Sequence, residues 1–375
     1  MTQDEPAPCV YSYLQQRAPP DLVSDVSAKR MLSVSRLPLR IVRRSFGTNI
    51  PRNAALHRSY NLRTAGTAAT LLGIGVVASC YFFLPDVSRG APTLKDEALS
   101  PSHFTPCIVS STEGSGPDTR LITLTVPQES RPSPSSLKSI WSVFIKDDDI
   151  QVERPYTPLE GLDEEGKMKF WIKKYPKGEV GRWLHSKTTG EEIELRGPLQ
   201  TWSWKEGVWD EIVMISGGTG ITPFYQLFHN VIATKSSTTR FTLLHSSRTP
   251  SELPPDAIMG PLTSYARENP DRFRLHLFVD SVEPQESRSD LQVGRIGKIQ
   301  ITKALQDGSM KMEWWKRIFG SSQIDLRERK ILFLVCGPEP MIGAIAGPYG
   351  RNFSQGRVGG ALAELGCSSE QVYKL

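Results

Sequence analysis

The sequence predicts a chain in three structural parts: a single transmembrane helix, a small antiparallel β-barrel, and an α/β domain built on a parallel sheet. Three observations carry this. Residues 64–84 run for 21 positions without a charge. Between residues 106 and 195, short runs rich in β-branched and aromatic residues are separated by Gly and Pro turn signals. From Glu211 onward, apolar runs alternate with polar stretches long enough for helices, the pattern of parallel strands joined by crossovers.

Composition bounds the problem before any element is placed. A chain of 375 residues exceeds one ordinary core, and a prior of about 150 residues per domain suggests two. Its 38% apolar and 23% charged content is that of a globular protein. The net charge of +5 looks like a basic surface until the charges are located. No acidic residue lies between Asp25 and Asp86, whereas Lys29, Arg30, Arg36, Arg40, Arg43, Arg44, Arg52, Arg58 and Arg63 all do. The remainder is mildly acidic, which argues against nucleic-acid binding. Cys9, Cys80, Cys107, Cys336 and Cys367 show no Cys-x-x-Cys spacing, so neither a zinc site, a haem attachment motif nor a disulfide framework is indicated.

Residues 1–63 are expected to form a disordered N-terminus. Residues 1–30 are Pro-rich and carry Asp4, Glu5, Asp21 and Asp25, whereas residues 31–46 are rich in Arg and Ser, apolar in between and acid-free. The second composition is that of a mitochondrial presequence, with Met31 as the true initiator. Residues 64–84 then span about 31 Å at about 1.5 Å per residue, close to a bilayer's hydrocarbon thickness. Arg58 and Arg63 before the span and Asp86 after it put the N-terminus on the positive-inside face. Behind a presequence, this reads as a single-pass inner-membrane anchor with the folded part in the intermembrane space. Residues 85–102, with Pro92 and Pro101, follow as a polar linker.

Strands of the barrel, residues 103–205, are expected at 106–111, 121–126, 140–145, 169–173 and 192–195. Gly161, Gly178, Gly190 and the Gly197-Pro198 pair act as breaks, and residues 128–138 form a surface loop. Asp147, Asp148 and Asp149 read as a solvated turn. The α/β domain, residues 206–375, opens on a buried strand at 212–215 that breaks into Gly217, Gly218 and Gly220 and resumes as a helix with Pro223 in its first turn. Such glycines let backbone amides approach a bound group, and a helix N-terminus favours an anion. Further strands are expected at 240–245, 273–278 and 331–335. Gly217, residues 246–248 and Cys336 each follow a strand, so they can meet in one crevice at the carboxyl ends of the sheet.

Arg154-Pro155-Tyr156-Thr157, the Gly217-Gly218-Thr219-Gly220 turn and Cys336-Gly337-Pro338 occur in that order. Together they resemble the motifs of the ferredoxin reductase superfamily, particularly its cytochrome b5 reductase branch, over roughly residues 104–375. The resemblance implies FAD and either NADH or NADPH as cofactors. It gives Arg154 the flavin pyrophosphate, Tyr156 the isoalloxazine and ribityl chain, and Thr157 a place near the flavin's reactive nitrogen. Ile172, Lys173 and Tyr175, followed by Gly178, Val180 and Gly181, resemble a second flavin segment; Gly181 stands where relatives carry a Ser that holds a flavin phosphate. Gly217, Gly218, Thr219 and Gly220 would contact the dinucleotide pyrophosphate, with Thr222 and Pro223 near flavin and nicotinamide. Ser247 and Arg248 suit the 2′-phosphate of NADPH. Cys336 would help position the nicotinamide, with Met341 packed beneath and Tyr373 covering the flavin. No metal is expected.

The resemblance therefore implies an FAD-dependent NAD(P)H oxidoreductase that passes electrons to a one-electron acceptor. The presequence, the single anchor and the Val-Tyr-Lys-Leu375 ending resemble the fungal cytochrome c mitochondrial import factor family. That family implies reduction of haem for attachment to apocytochrome c beside haem lyase. Two alternatives stand: an NADH-cytochrome b5 reductase of the outer membrane, and a non-catalytic flavoprotein scaffold.

Overall fold

The computed structural model describes residues 91–132, 140–234, 238–281, 290–307, 330–351 and 354–375. The expected presequence, membrane span and residues 310–329 lie outside them. Among the described residues no helix is long and apolar enough to cross a membrane.

The first sheet is antiparallel and contains β1 (Thr105–Gly114), β2 (Thr119–Thr125), β3 (Ile140–Lys146), β4 (Glu153–Tyr156), β5 (Lys167–Lys173) and β6 (Glu192–Trp202). Their order is β4-β3-β6-β1-β2-β5, so β4 and β5 are its edges, not a closed seam. Just past β4, the amide of Leu159 donates to Lys169 O of β5 and draws the two edges together. Val109, Ile122, Leu124, Val143, Phe170 and Leu195 pack inside as one core. The eight-residue helix α1 (Glu179–Ser186) follows β5 and buries Val180 and Leu184.

Three expectations are corrected here. Gly197-Pro198 does not end a strand: β6 runs through it to Trp202, with the β3 pairing shifting register opposite Val143. A Cβ on Gly197 would stand 2.9 Å from Val143 Cγ1, so this close approach needs glycine, and the bulge accommodates a proline that cannot donate. The described part of the 85–102 linker is docked. Phe104 N–H donates to Pro92 O, Leu99 N–H to Ser130 O and Gly197 N–H to Ser100 O. Asp147 is itself buried, and its carboxylate accepts the amides of Asp149 and Ile150 to close the turn.

The second sheet is parallel. It contains β7 (Glu211–Gly217), β8 (Arg240–Ser247), β9 (Phe273–Val279), β10 (Leu291–Val293), β11 (Ile331–Cys336) and β12 (Val372–Lys374), in the order β10-β9-β8-β7-β11-β12. The helices are α2 (Thr222–Leu227), α3 (Asp256–Glu268), α4 (Lys298–Asp307), α5 (Glu339–Ala346) and α6 (Gly360–Glu364). β7 is buried from end to end, as a strand covered on both faces should be. The chain leaves β7 for β8 on one side and returns to β11 on the other, which makes the gap between β7 and β11 the topological switch point.

The two sheets share packing. Ile140, Leu159 and Trp171 belong to the same apolar cluster as Ile212, Phe224 and Leu227. Gln226 of α2, wholly buried, accepts the Trp141 amide at 2.8 Å and donates to Pro158 O at 2.9 Å. A buried amide with partners on the opposite sheet fixes their relation, because moving either leaves polar groups unsatisfied.

Candidate active site

A cavity of about 570 Å³ opens where the β4 and β5 edges face the carboxyl ends of β7 and β11. From β4 and the turn after it come Arg154, Pro155, Tyr156 and Thr157. From β5 and α1 come Ile172, Lys173, Tyr175, Gly178, Val180 and Gly181. From the second sheet come Gly217, Thr219, Gly220, Thr222, Pro223, Cys336, Gly337 and Pro338. Three stretches distant in sequence thus share one surface because β4 and β5 are sheet edges and β7 and β11 are neighbours with aligned ends.

Each segment is shaped for close approach. A Cβ on Gly220 would stand 2.5 Å from Cys336 O, so the β7 and β11 loops touch backbone to backbone. Gly218 adopts φ +54° with nothing within 4 Å of a built Cβ, and it stands just outside the cavity lining. Met341 Sδ lies directly beneath Gly217 and Gly337, outside the cavity lining. Pro223 sits in the first turn of α2, where a missing N–H costs nothing. At α1 the N-cap is Gly178, without a side-chain cap, so the first amides of the helix remain available to an anion. A Cβ on Gly181 would come 3.0 Å from Lys173 O; its absence lets α1 sit tight against the end of β5.

The polar groups have defined states. Arg154 is exposed at the rim. Burial holds the Tyr156 phenol well above its ordinary value, so it is a neutral donor. Burial pushes the Cys336 thiol up to about 12, and a protonated thiol is a packing surface and not a nucleophile. Lys173 is bound at 2.6 Å to Glu252, in the short turn Pro250–Glu252 after β8, and Glu252 also takes Arg248 through Nε (3.1 Å) and Nη2 (3.0 Å). Burial would raise Glu252, but its hydrogen bonds from Lys173 and Arg248 hold it below the usual carboxylate range.

Ser247 and Arg248 stand apart from the cavity lining. The Ser247 hydroxyl is buried and donates to Glu252 O, so no free hydroxyl awaits a phosphate there. Since Ser247 Oγ donates its proton to Glu252, His245 Nε2 donates to Ser247 (3.2 Å) and His245 Nδ1 accepts from Ser216 (2.8 Å). Tyr373 does not cover the cavity. Its hydroxyl donates to Thr201 O of β6 at 2.9 Å, and the residues that line the site there are Tyr349 and Leu375, joined by Tyr349 Oη donating to Leu375 O at 2.7 Å. Ser142, Trp171, Lys177 and Glu179 also line the cavity and carried no motif signal. Leu375 could have been suspected, since a chain that ends on a strand beside β11 must finish near Cys336.

The sequence matches the model of an oxidoreductase FAD-binding domain at residues 106–204 and that of an oxidoreductase NAD-binding domain at 214–347. It is 30% identical over 231 residues to NADH-cytochrome b5 reductase 2 of Candida albicans, covering 62% of this chain and 69% of that one. The chain belongs to the cytochrome b5 reductase family. NADH-cytochrome b5 reductase 2 of Mycosarcoma maydis is 28% identical over 294 residues, covering 77% of each chain. The fold is that of the cytochrome b5 reductase domain of Ulva prolifera nitrate reductase, with a TM-score of 0.56 at 19% identity, covering 74% of this chain and all of that one.

A cytochrome b5 reductase-like oxidoreductase binds FAD and a nicotinamide dinucleotide, and the cavity fits both. Its volume lies within the range of about 300–1,000 Å³ usual for ligand sites. A Cβ on Gly217 or Gly220 would collide with Met341 or with the Cys336 backbone, so glycine lets the β7 and β11 loops close up and present bare backbone to a phosphate. Its exposed cation and its uncapped helix start suit the flavin's anionic end.

Proposed function

We propose that the protein takes a hydride from NADH and delivers electrons singly to haem, working on the intermembrane-space side of the inner mitochondrial membrane. The observation that carries the first half is the convergence of β4, β5, β7 and β11 on one cavity. FAD, when held there, would supply the chemistry that turns a two-electron donor into one-electron deliveries. The chain's residues align the reactants: Arg154 and the α1 amides would hold the flavin phosphates, Tyr156 and Thr157 its ring, Gly217 to Gly220 the dinucleotide. Cys336 and Pro338 would set the nicotinamide depth. Glu252 favours NADH over NADPH, because it occupies Arg248 and Lys173 and would face a 2′-phosphate with a like charge.

The acceptor reading has two supports that point differently. Relatives named NADH-cytochrome b5 reductase favour cytochrome b5, and exposed Lys174, Lys177 and Arg182 beside the cavity suit an acidic haem protein. The acid-free residues 31–46 and the uncharged run at 64–84 favour an inner-membrane anchor, where haem bound for apocytochrome c beside haem lyase would be the acceptor. Protease treatment of intact and outer-membrane-ruptured mitochondria separates them. Protection lost only on rupture supports the intermembrane-space reading. Digestion in intact organelles supports an outer-membrane cytochrome b5 reductase.

A further inference from the structure

β4 is a slight structure on which to hang a cofactor. It has four residues, lies at a sheet edge and pairs only with β3, yet it carries Arg154 and Tyr156. Short edge strands fray unless something besides their ladder holds them. Here Arg196 does so from two strands away.

Arg196 stands on β6 opposite Phe144 of β3 and is 3% exposed. Its guanidinium passes over the Phe144 ring, 4.6 Å from the centroid, and reaches β4. There Nε donates to Glu153 Oε2 at 2.7 Å and Nη2 to Glu153 Oε1 at 3.0 Å, a bidentate fork that lysine cannot reproduce. Nη1 donates to Pro101 O at 2.9 Å, and the buried Phe104 ring has its centroid 5.5 Å from the guanidinium. Residues 93–104 therefore cover the pair. Thr93 Oγ1 donates to Glu194 at 2.7 Å, and Gly197 N–H to Ser100 O. Alternation along the strand puts the Glu153 and Arg154 side chains on opposite faces, so the fork fixes β4 without entering the cavity. Arg154 Nη1 in turn donates to Glu153 O at 2.9 Å.

We propose that Glu153 and Arg196 are positioning residues for the flavin: a clamp across β3, covered by residues 93–104, that holds β4 so that Arg154 meets the cofactor's pyrophosphate. This rests on the reading of Arg154 as a flavin ligand. Full-length protein carrying Glu153→Gln, Arg196→Lys or Arg154→Gln is stripped of flavin, titrated with FAD, and followed by amide hydrogen exchange in the flavin-free state. Glu153→Gln and Arg196→Lys are each expected to weaken FAD binding about tenfold, the scale of one charge-assisted contact. Exchange in β4 should quicken, with β1 and β7 unchanged. Arg154→Gln should weaken FAD with no change in exchange. Wild-type FAD affinity in the first two variants, or β4 exchange no faster than wild type, overturns the clamp. Wild-type affinity in Arg154→Gln instead overturns the ligand reading, while the exchange data still judge the clamp.

Discussion

Replacing Gly220 with Ala should separate the two loops that receive the dinucleotide. The new Cβ would stand 2.5 Å from Cys336 O and 2.9 Å from Gly337 Cα, roughly 0.9 Å short of the 3.4 Å at which ordinary contact begins. Both neighbours are backbone, so no side chain can turn away, and the β7 and β11 loops must part. Overpacking of this kind costs about 1–3 kcal/mol in stability. A misplacement of about 1 Å in a positioning element reduces turnover on the order of 100-fold. Gly218→Ala is the matched control: φ is +54° with open space around it, so the change brings only a left-handed backbone penalty of about 1 kcal/mol. The assay is NADH-driven reduction of an artificial one-electron acceptor, with thermal melts of both variants. Gly220→Ala should lose about two orders of magnitude in kcat/KM for NADH, and Gly218→Ala far less. Near wild-type kcat/KM in Gly220→Ala, or equal losses in the two variants, would refute the reasoning.

Three further outcomes are expected. Glu252→Gln should raise the NADPH to NADH ratio of kcat/KM about tenfold, since it frees Lys173 and Arg248 for a 2′-phosphate, and adding Arg248→Ala should reverse the gain; an unchanged ratio removes Glu252 from specificity. Burial pushes His245 down to about 3 from an ordinary 6.5, so below pH 6.5 the unfolded chain takes up a proton that the folded chain refuses. Stability should therefore fall as pH drops from 6.5 toward 3, by up to about 1.4 kcal/mol per unit from this group, and denaturation midpoints of His245→Gln should show a shallower slope; identical slopes would sink the assignment. Tyr373→Phe should lose about 1 kcal/mol of stability with its hydrogen bond to Thr201 O, while flavin content stays unchanged; a large loss of flavin would return Tyr373 to the cofactor.

What the sequence made legible was local. β7, β8, β9 and β11 announce themselves as apolar runs, and the glycines after β7 mark a close approach before any contact is known. The convergence of Gly217 and Cys336 was legible because each follows an apolar strand of a parallel sheet, and the pairing of β7 with β11 brings them together. Long-range pairing was not legible. β6 continues through Gly197-Pro198 because β3 tolerates a bulge there, and nothing near Pro198 encodes that. Arg248 looked like a phosphate ligand because its partner Glu252 lies beyond a proline turn, and Glu252 is drawn in by Lys173 of the other sheet. Tyr349 lines the cavity because its loop is tied to the terminus: Lys374 Nζ donates to Pro348 O at 2.7 Å, and Gln355 bonds the Lys374 backbone from both sides. Charge and aromatic positions could be read one by one, but their partners could not.

The most direct measurement is the visible absorption spectrum of the purified protein before and after anaerobic NADH. A flavin spectrum that bleaches on addition of NADH and returns with a one-electron acceptor is the expected result. A colourless protein that takes up no FAD, or a yellow one that NADH leaves unchanged, would contradict a shared cavity for the two cofactors.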